Sequence, residues 1–305
     1  MIVSASRRTD IPAFYSEWLE NRLTEEYVLV RNPFNPRLVS RISLRPPDLE
    51  FIVFWTKNPK PILPRLKTVD MLSVPYYFLF TVTAYGKPLE RNIPSLEETI
   101  DTFRCLSRTI GPQRTIWRYD PIIFTRETDS LYHRERFGYL CSRLENFTKR
   151  CIVSFLDMYK KCRKNLKALD IRTPSVENMV DIAGDFRTIA DRHGISVQSC
   201  AEETDLSQSG VENGKCIDDR LISDITGHTV SIRKDPNQRK RCRCAESIDI
   251  GSYDTCTGGC VYCYANSNPE VAQKNHASHD PKSPLLYGDI GPADRIVERE
   301  MNTLF

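Results

Sequence analysis

The sequence predicts an α/β protein built as a partial or complete TIM-type (β/α) barrel. Three observations lead there. Short apolar runs of strand length recur along the chain, amphipathic stretches with helix caps fill the intervals, and each run ends in polar residues.

The elements follow in order. IVSAS (2–6) is a first strand, and residues 12–26 have a helical pattern. The prolines of RNPFNPRLVSRISL make 27–45 an irregular or hairpin excursion. FIVFWT (51–56) and YYFLFTVT (76–83) are nearly continuously apolar, as strands buried on both faces should be. Ser95 and Glu98 form an S-x-x-E capping box; Leu96, Ile100 and Phe103 follow at helical spacing, and Gly111 supplies a stop. RTIWRY (114–119) is a strand, 130–147 a helix and CIVSFL (151–156) another strand. Ser175 opens a helix with Val176, Met179, Val180, Ala183, Phe186 and Ile189 on one face, and Gly194 ends it. ISVQSC (195–200) is the next strand.

Strands alternating with helices give βα units and a parallel sheet, and their number exceeds that of a small open sheet. The strand ends carry Arg7, Arg8 and Asp10; Lys57 and Asn58; Thr81 and Thr83; Arg118 and Asp120; Asp157; and Glu202. In a parallel barrel these ends converge on the rim where active sites lie. Residues 1–202 are thus expected to hold the barrel strands and helices. Residues 203–245, polar and ending near the basic run RKDPNQRKRCR, are an irregular cysteine-containing insertion. Residues 246–305 carry a further strand, a cysteine loop and a C-terminal segment.

With 43 basic and 40 acidic side chains, the net charge of +3 argues neither for nor against nucleic acid. No stretch has the length and apolarity of a membrane span, and MIVSASRRTD lacks a secretory apolar region. A cytoplasmic protein without a membrane partner is expected. Eleven cysteines are many for such a chain; in a reducing compartment, clustered thiols more often bind metal than pair. Cys105, Cys141, Cys151 and Cys162 are scattered through the elements and are expected to be small buried hydrophobes.

DTCTGGCVYCYAN (254–266) places Cys256, Cys260 and Cys263 within eight residues. Three thiols fall one short of a structural zinc site, which would have to recruit Cys244, His276 or His279. A cubane iron–sulfur cluster held by three cysteines keeps its fourth iron open. Gly258 and Gly259 let the loop curl tightly.

The spacing Cys-x3-Cys-x2-Cys, with Tyr262 before the last cysteine, resembles the signature of the radical S-adenosylmethionine (SAM) superfamily. FWTKNP (54–59), FLFTVT (78–83), LERNIPSLEETI (89–100) and RYDPIIF (118–124) resemble, in the same order, segments of spore photoproduct lyase-like proteins of that superfamily. The whole chain is also similar to an uncharacterised bacterial domain-of-unknown-function family that begins near SASRRTDIPAFY and ends near CVYCYAN. The resemblance implies a [4Fe–4S] cluster on Cys256, Cys260 and Cys263 whose open iron chelates SAM. It also implies reduction by an electron donor such as flavodoxin or ferredoxin, and hydrogen abstraction from a substrate that is unknown, with a nucleotide-derived one suggested by analogy. In that superfamily the cysteine loop follows the first strand. Here it follows SIDIGSYD (247–254), so the resemblance implies circular permutation, with the terminal strand in the first barrel position and IVSAS in the second. Arg7, Arg8, Lys57, Thr81, Arg118, Asp120 and Tyr262 become SAM contacts: Lys57 or Arg118 for the carboxylate, Asp120 for the ribose, the Tyr262 backbone for adenine. Tyr119, Tyr253 and Tyr264 are candidates for stacking or hydrogen-atom relay.

Cys200, Cys216, Cys242 and Cys244 are the ligand count for an auxiliary [4Fe–4S] cluster or an all-cysteine zinc site, although Cys-x-Cys is less typical of zinc than Cys-x2-Cys. A rival reading is a non-catalytic iron–sulfur or zinc protein, such as a nucleic-acid-binding module.

Overall fold

The computed structural model describes residues 1–167, 169–300 and 304. Eleven strands occur in it: β1 (Ile2–Ala5), β2 (Tyr27–Arg31), β3 (Leu38–Ser43), β4 (Phe51–Thr56), β5 (Tyr76–Thr81), β6 (Thr115–Ile122), β7 (Arg150–Phe155), β8 (Ser196–Ser199), β9 (Glu212–Asn213), β10 (Ile248–Asp249) and β11 (Arg295–Glu298). The α-helices are α1 (Ile11–Phe14), α2 (Ser16–Thr24), α3 (Leu66–Met71), α4 (Leu96–Ile110), α5 (Ser130–Leu144), α6 (Lys160–Leu166), α7 (Val176–Asp191), α8 (Asp219–Thr226) and α9 (Pro269–Ala277).

Eight strands form one sheet in the order β10-β1-β4-β5-β6-β7-β8-β9, and every neighbouring pair is parallel. The α/β class and the large parallel sheet agree with the sequence. Pairing does not join β9 to β10, so the complete barrel among the expectations is not shown; β9 and β10 are only two residues each and present little backbone to a partner. The late strand β10 lies beside β1, with Val3 opposite Ile248 and Ser4 opposite Asp249.

Alternate strand residues serve opposite faces, as the pleat requires. Val3, Ile52, Phe54, Phe78, Phe80, Trp117 and Val153 pack with the apolar sides of α2, α3, α4, α5 and α7. Ile2, Phe51, Val53, Tyr77, Leu79, Ile116 and Ile152 face the other way. Against them pack residues of the 200–245 stretch, among them Ile217, Leu221, Ile222 and Val230. Helices α2, α3, α4, α5 and α7 therefore share one face, and the cysteine-bearing segment, α8 included, fills the opposite one.

Local chemistry sets the helix ends. Ser95 Oγ and the Glu98 carboxylate form the capping box of α4, and Gly111 closes it. Ser175 caps α7 through the Asn178 N–H. The single helix expected over 12–26 is two, broken at Tyr15, whose φ is −135°. Its hydroxyl donates to the Thr255 carbonyl at 2.6 Å, a tertiary bond that local periodicity does not encode. Residues 27–45 form the β2–β3 hairpin, onto which β11 adds in parallel. Among the described residues no helix is long and apolar enough to cross a membrane.

Candidate metal and cofactor site

The parallel strands bring their C-terminal ends to one rim, and a cavity of about 550 Å³ opens there. The two cysteine groups and all the SAM contacts expected above line it: Arg7, Arg8, Lys57, Thr81, Arg118, Asp120 and Tyr262. Tyr253 and Tyr264 line it too. Tyr119 does not. Its ring is buried in the core and its hydroxyl bonds His133 Nδ1 at 2.8 Å, because it stands on the helix-facing side of β6.

The cysteine loop is held from below by residues 89–92. The Val261 N–H donates to the Leu89 carbonyl at 3.0 Å, the Asn92 N–H to that of Gly258 at 3.2 Å, and Asn92 Nδ2 to that of Thr257 at 2.8 Å. Gly259 takes φ +68°, and a Cβ there would sit 3.0 Å from Asn92 Nδ2. At Gly258 a Cβ would make ordinary contact with Cys256 Sγ at 3.5 Å, so space alone does not demand glycine there. Asn266 Nδ2 donates to the Cys256 carbonyl at 2.6 Å. Burial pushes the Cys256 thiol up to about 12, and the Cys263 charge adds to this, so binding metal there releases a proton.

A residue given no role from sequence organises this loop. The Glu90 carboxylate accepts from Lys57 Nζ at 2.8 Å, from Thr83 Oγ1 at 2.6 Å and from the Tyr262 hydroxyl. Burial works against the Lys57 charge, but Glu90 and then Cys260 outweigh it and raise its pKa. Lys57 is thus already paired. The Tyr262 carbonyl accepts from the Cys162 thiol at 3.1 Å, which leaves less of that backbone for adenine than expected. Cys162 is buried, as are Cys141 and Cys151; Cys105 instead is exposed on α4.

The other wall is built on Asp249 at the end of β10. It accepts from Ser6 Oγ at 2.6 Å and from the N–H groups of Arg7 at 2.8 Å and Gly251 at 3.0 Å. Arg7 Nε lies 3.6 Å from the same carboxylate, and its guanidinium reaches Asp235 at 3.5 Å. Arg118 pairs with Asp120 and lies 4.9 Å over the Trp55 ring. Burial opposes its charge, yet Asp120, Cys216 and Cys200 raise its pKa. Four buried polar atoms of cavity-lining residues lack a hydrogen-bond partner: Arg7 Nη1, Thr9 Oγ1, Trp55 Nε1 and Arg118 Nε. Orphaned buried donors of this kind are costly unless a ligand satisfies them. The donor set of three thiols on one loop, beside unsatisfied donors in an open cavity, fits a thiolate-held cluster with a polar ligand next to it.

Cys200, Cys216, Cys242 and Cys244 meet on the same cavity. Cys216 Sγ donates to Cys200 Sγ at 3.1 Å, and the neighbouring thiols of Cys200, Cys216 and Cys242 hold the Cys244 pKa down. His276 and His279 pack against Tyr15 instead, and Cys244 belongs to the second thiol group, so none of the three completes a zinc site with the loop trio.

No curated protein matches the chain. A family model described as "Domain of unknown function (DUF1848)" matches residues 2–265, from β1 through the cysteine loop, and the chain belongs to that family.

Proposed function

We propose that this protein is a radical SAM enzyme on a circularly permuted, partial (β/α) barrel. One observation carries the reading: Cys256, Cys260 and Cys263 share a cavity at the strand ends with buried donors that have no partner. The uneven layering, with α2, α3, α4, α5 and α7 on one face and the single short helix α8 on the other, supports the barrel-type reading over a doubly wound sheet. The position of β10 beside β1 supports the permutation.

Cys256, Cys260 and Cys263 would hold the [4Fe–4S] cluster. When bound and reduced, that cluster supplies the electron that cleaves SAM to methionine and a 5′-deoxyadenosyl radical. The chain's own residues bind, orient and exclude water. Glu90 neutralises Lys57, which leaves Arg118 Nε and Arg7 Nη1 as the donors for a carboxylate. Asp120, already accepting from Arg118 and Ser154, is placed to orient a hydroxyl. Thr81 and Arg8 line the cavity beside them. The substrate is unassigned; a nucleotide-derived one rests on the resemblance to photoproduct lyases alone.

The test is direct. Anaerobically purified protein should be brown, and with dithionite and SAM it should release 5′-deoxyadenosine. Cys256→Ala should lose both the colour and the product. A full cluster with no 5′-deoxyadenosine under any reductant would overturn the reading.

A further inference from the structure

The second thiol group has a spacing of its own. Cys200 follows β8, Cys216 lies between β9 and α8, and Cys242 and Cys244 precede β10. The sulfurs of Cys200, Cys216 and Cys244 all lie within 4.8 Å of one another, and Cys200 and Cys216 are 3.1 Å apart. Cys242, two residues before Cys244, lines the same cavity but stands outside this close group of three, so its side chain has to turn inward to complete a tetrahedron. All four are buried. Packing alone does not require thiols from three chain segments to meet, since Ile217, Leu221 and Ile222 already supply apolar contact there.

The distances discriminate between metals. A zinc–thiolate bond of about 2.3 Å places tetrahedral sulfurs about 3.8 Å apart. The spacing of Cys200, Cys216 and Cys244 brackets that value. A cubane spreads its cysteine sulfurs around a body of four irons and four sulfides, so they cannot crowd together in this way. The loop trio, by contrast, is not within 4.8 Å of itself. The surroundings also suit a closed thiolate site. The Ile217 N–H points at Cys244 Sγ at 3.5 Å, a contact of the kind that orients metal-bound sulfur. Arg118 and Arg7 interact electrostatically with these thiols and offset the double negative charge of a zinc tetrathiolate.

We propose that Cys200, Cys216, Cys242 and Cys244 bind one Zn²⁺ ion in a closed, four-thiolate site that pins the 200–245 stretch to the sheet face opposite the helices. The ion makes this stretch a fixed wall of the cavity. The step is ligand exchange: zinc replaces thiol protons, and no oxidant or reductant is needed.

The experiment uses the full chain. Metal analysis of wild type should find one zinc ion per chain. The triple variant Cys256→Ala, Cys260→Ala, Cys263→Ala should keep that zinc while losing the brown colour, which separates this site from the radical SAM reading. Cys216→Ser and Cys244→Ser should lose it. Because those variants could fail to fold, wild type is also stripped with a mercurial thiol reagent and refilled with Co²⁺, which should give the d–d bands and thiolate charge-transfer absorption of tetrahedral sulfur ligation. Absence of zinc from wild type, a Cys200–Cys216 disulfide in reduced protein, octahedral cobalt spectra, or iron with acid-labile sulfide in the triple variant would each overturn the proposal.

Discussion

Glu90 shows how much one buried carboxylate can carry. It takes three hydrogen bonds from Lys57, Thr83 and Tyr262, and these residues come from three separate parts of the chain. Burying both members of an ion pair is expensive, so the pair itself adds little; removing one member leaves the other charged and unsolvated. Glu90→Ala should therefore destabilise the fold by about 3–5 kcal/mol. Glu90→Gln keeps the acceptor oxygen and should cost less. Anaerobic urea unfolding of both variants measures this, and a loss below about 1 kcal/mol for Glu90→Ala would mean that Lys57 finds another partner. Sequence reading placed Lys57 and Tyr262 at the site but not Glu90. Its stretch, LERN, carries no periodicity or metal spacing, and its three partners become neighbours only after the sheet and loop are assembled.

At the scale of elements, two packing joints make distinct predictions. His133 of α5 bridges to β6: the Ile123 carbonyl can only accept, so Nε2 carries the proton and Nδ1 accepts from the Tyr119 hydroxyl. Burial holds its pKa down to about 4 from an ordinary 6.5, against a smaller opposing effect of the Ile123 bond. Between these values the unfolded chain binds a proton that the folded chain does not, so stability falls as the pH drops through that window. The difference is roughly 3 kcal/mol. In His133→Gln this part of the pH dependence should vanish; equal slopes for variant and wild type between pH 6.5 and 4 would refute the assignment. The second joint is Gly251, just beyond β10. A Cβ there would sit 2.6 Å from Ser6 Cβ and 3.2 Å from Thr9 Cγ2. Gly251→Ala should cost about 1–3 kcal/mol by pushing the cysteine loop off β1, read as a lower denaturation midpoint with an unchanged slope. Element by element, legibility followed pattern strength. The apolar run of β4 was readable to the residue because both its faces are buried. β9, two residues long, and β11, with mostly exposed side chains, have no period to read; their existence depends on pairing with β8 and β3.

For the whole molecule, sequence order and sheet order disagree at one place in the eight-stranded sheet. β10 pairs with β1 although Ile248 and Val3 stand near opposite ends of the chain. The sequence hinted at this only through a cysteine loop at the wrong end. Apolar patterning cannot tell which parallel strands are neighbours, and a strand as short as β10 gives almost no pattern at all. The described ends of the chain nevertheless meet. The Glu50 carboxylate binds the Met1 amino group, and it accepts from the Leu304 N–H at 2.9 and 2.8 Å. A short flexible linker from Phe305 to Met1 can therefore close the chain without spanning the protein. Opening the circle between His228 and Thr229, on the exposed turn after α8, would place β10 ahead of β1 in sequence as it already is in the sheet. This permutant should fold to the same secondary structure and unfold cooperatively, with the Met1 charge on Glu50 lost. It should also refold faster than the native order, because the β10–β1 pair no longer waits for the rest of the chain to collapse. Stopped-flow refolding and circular dichroism test both statements. A permutant that is soluble but lacks a cooperative transition would show that the native order matters to the fold beyond the pairing of these two strands.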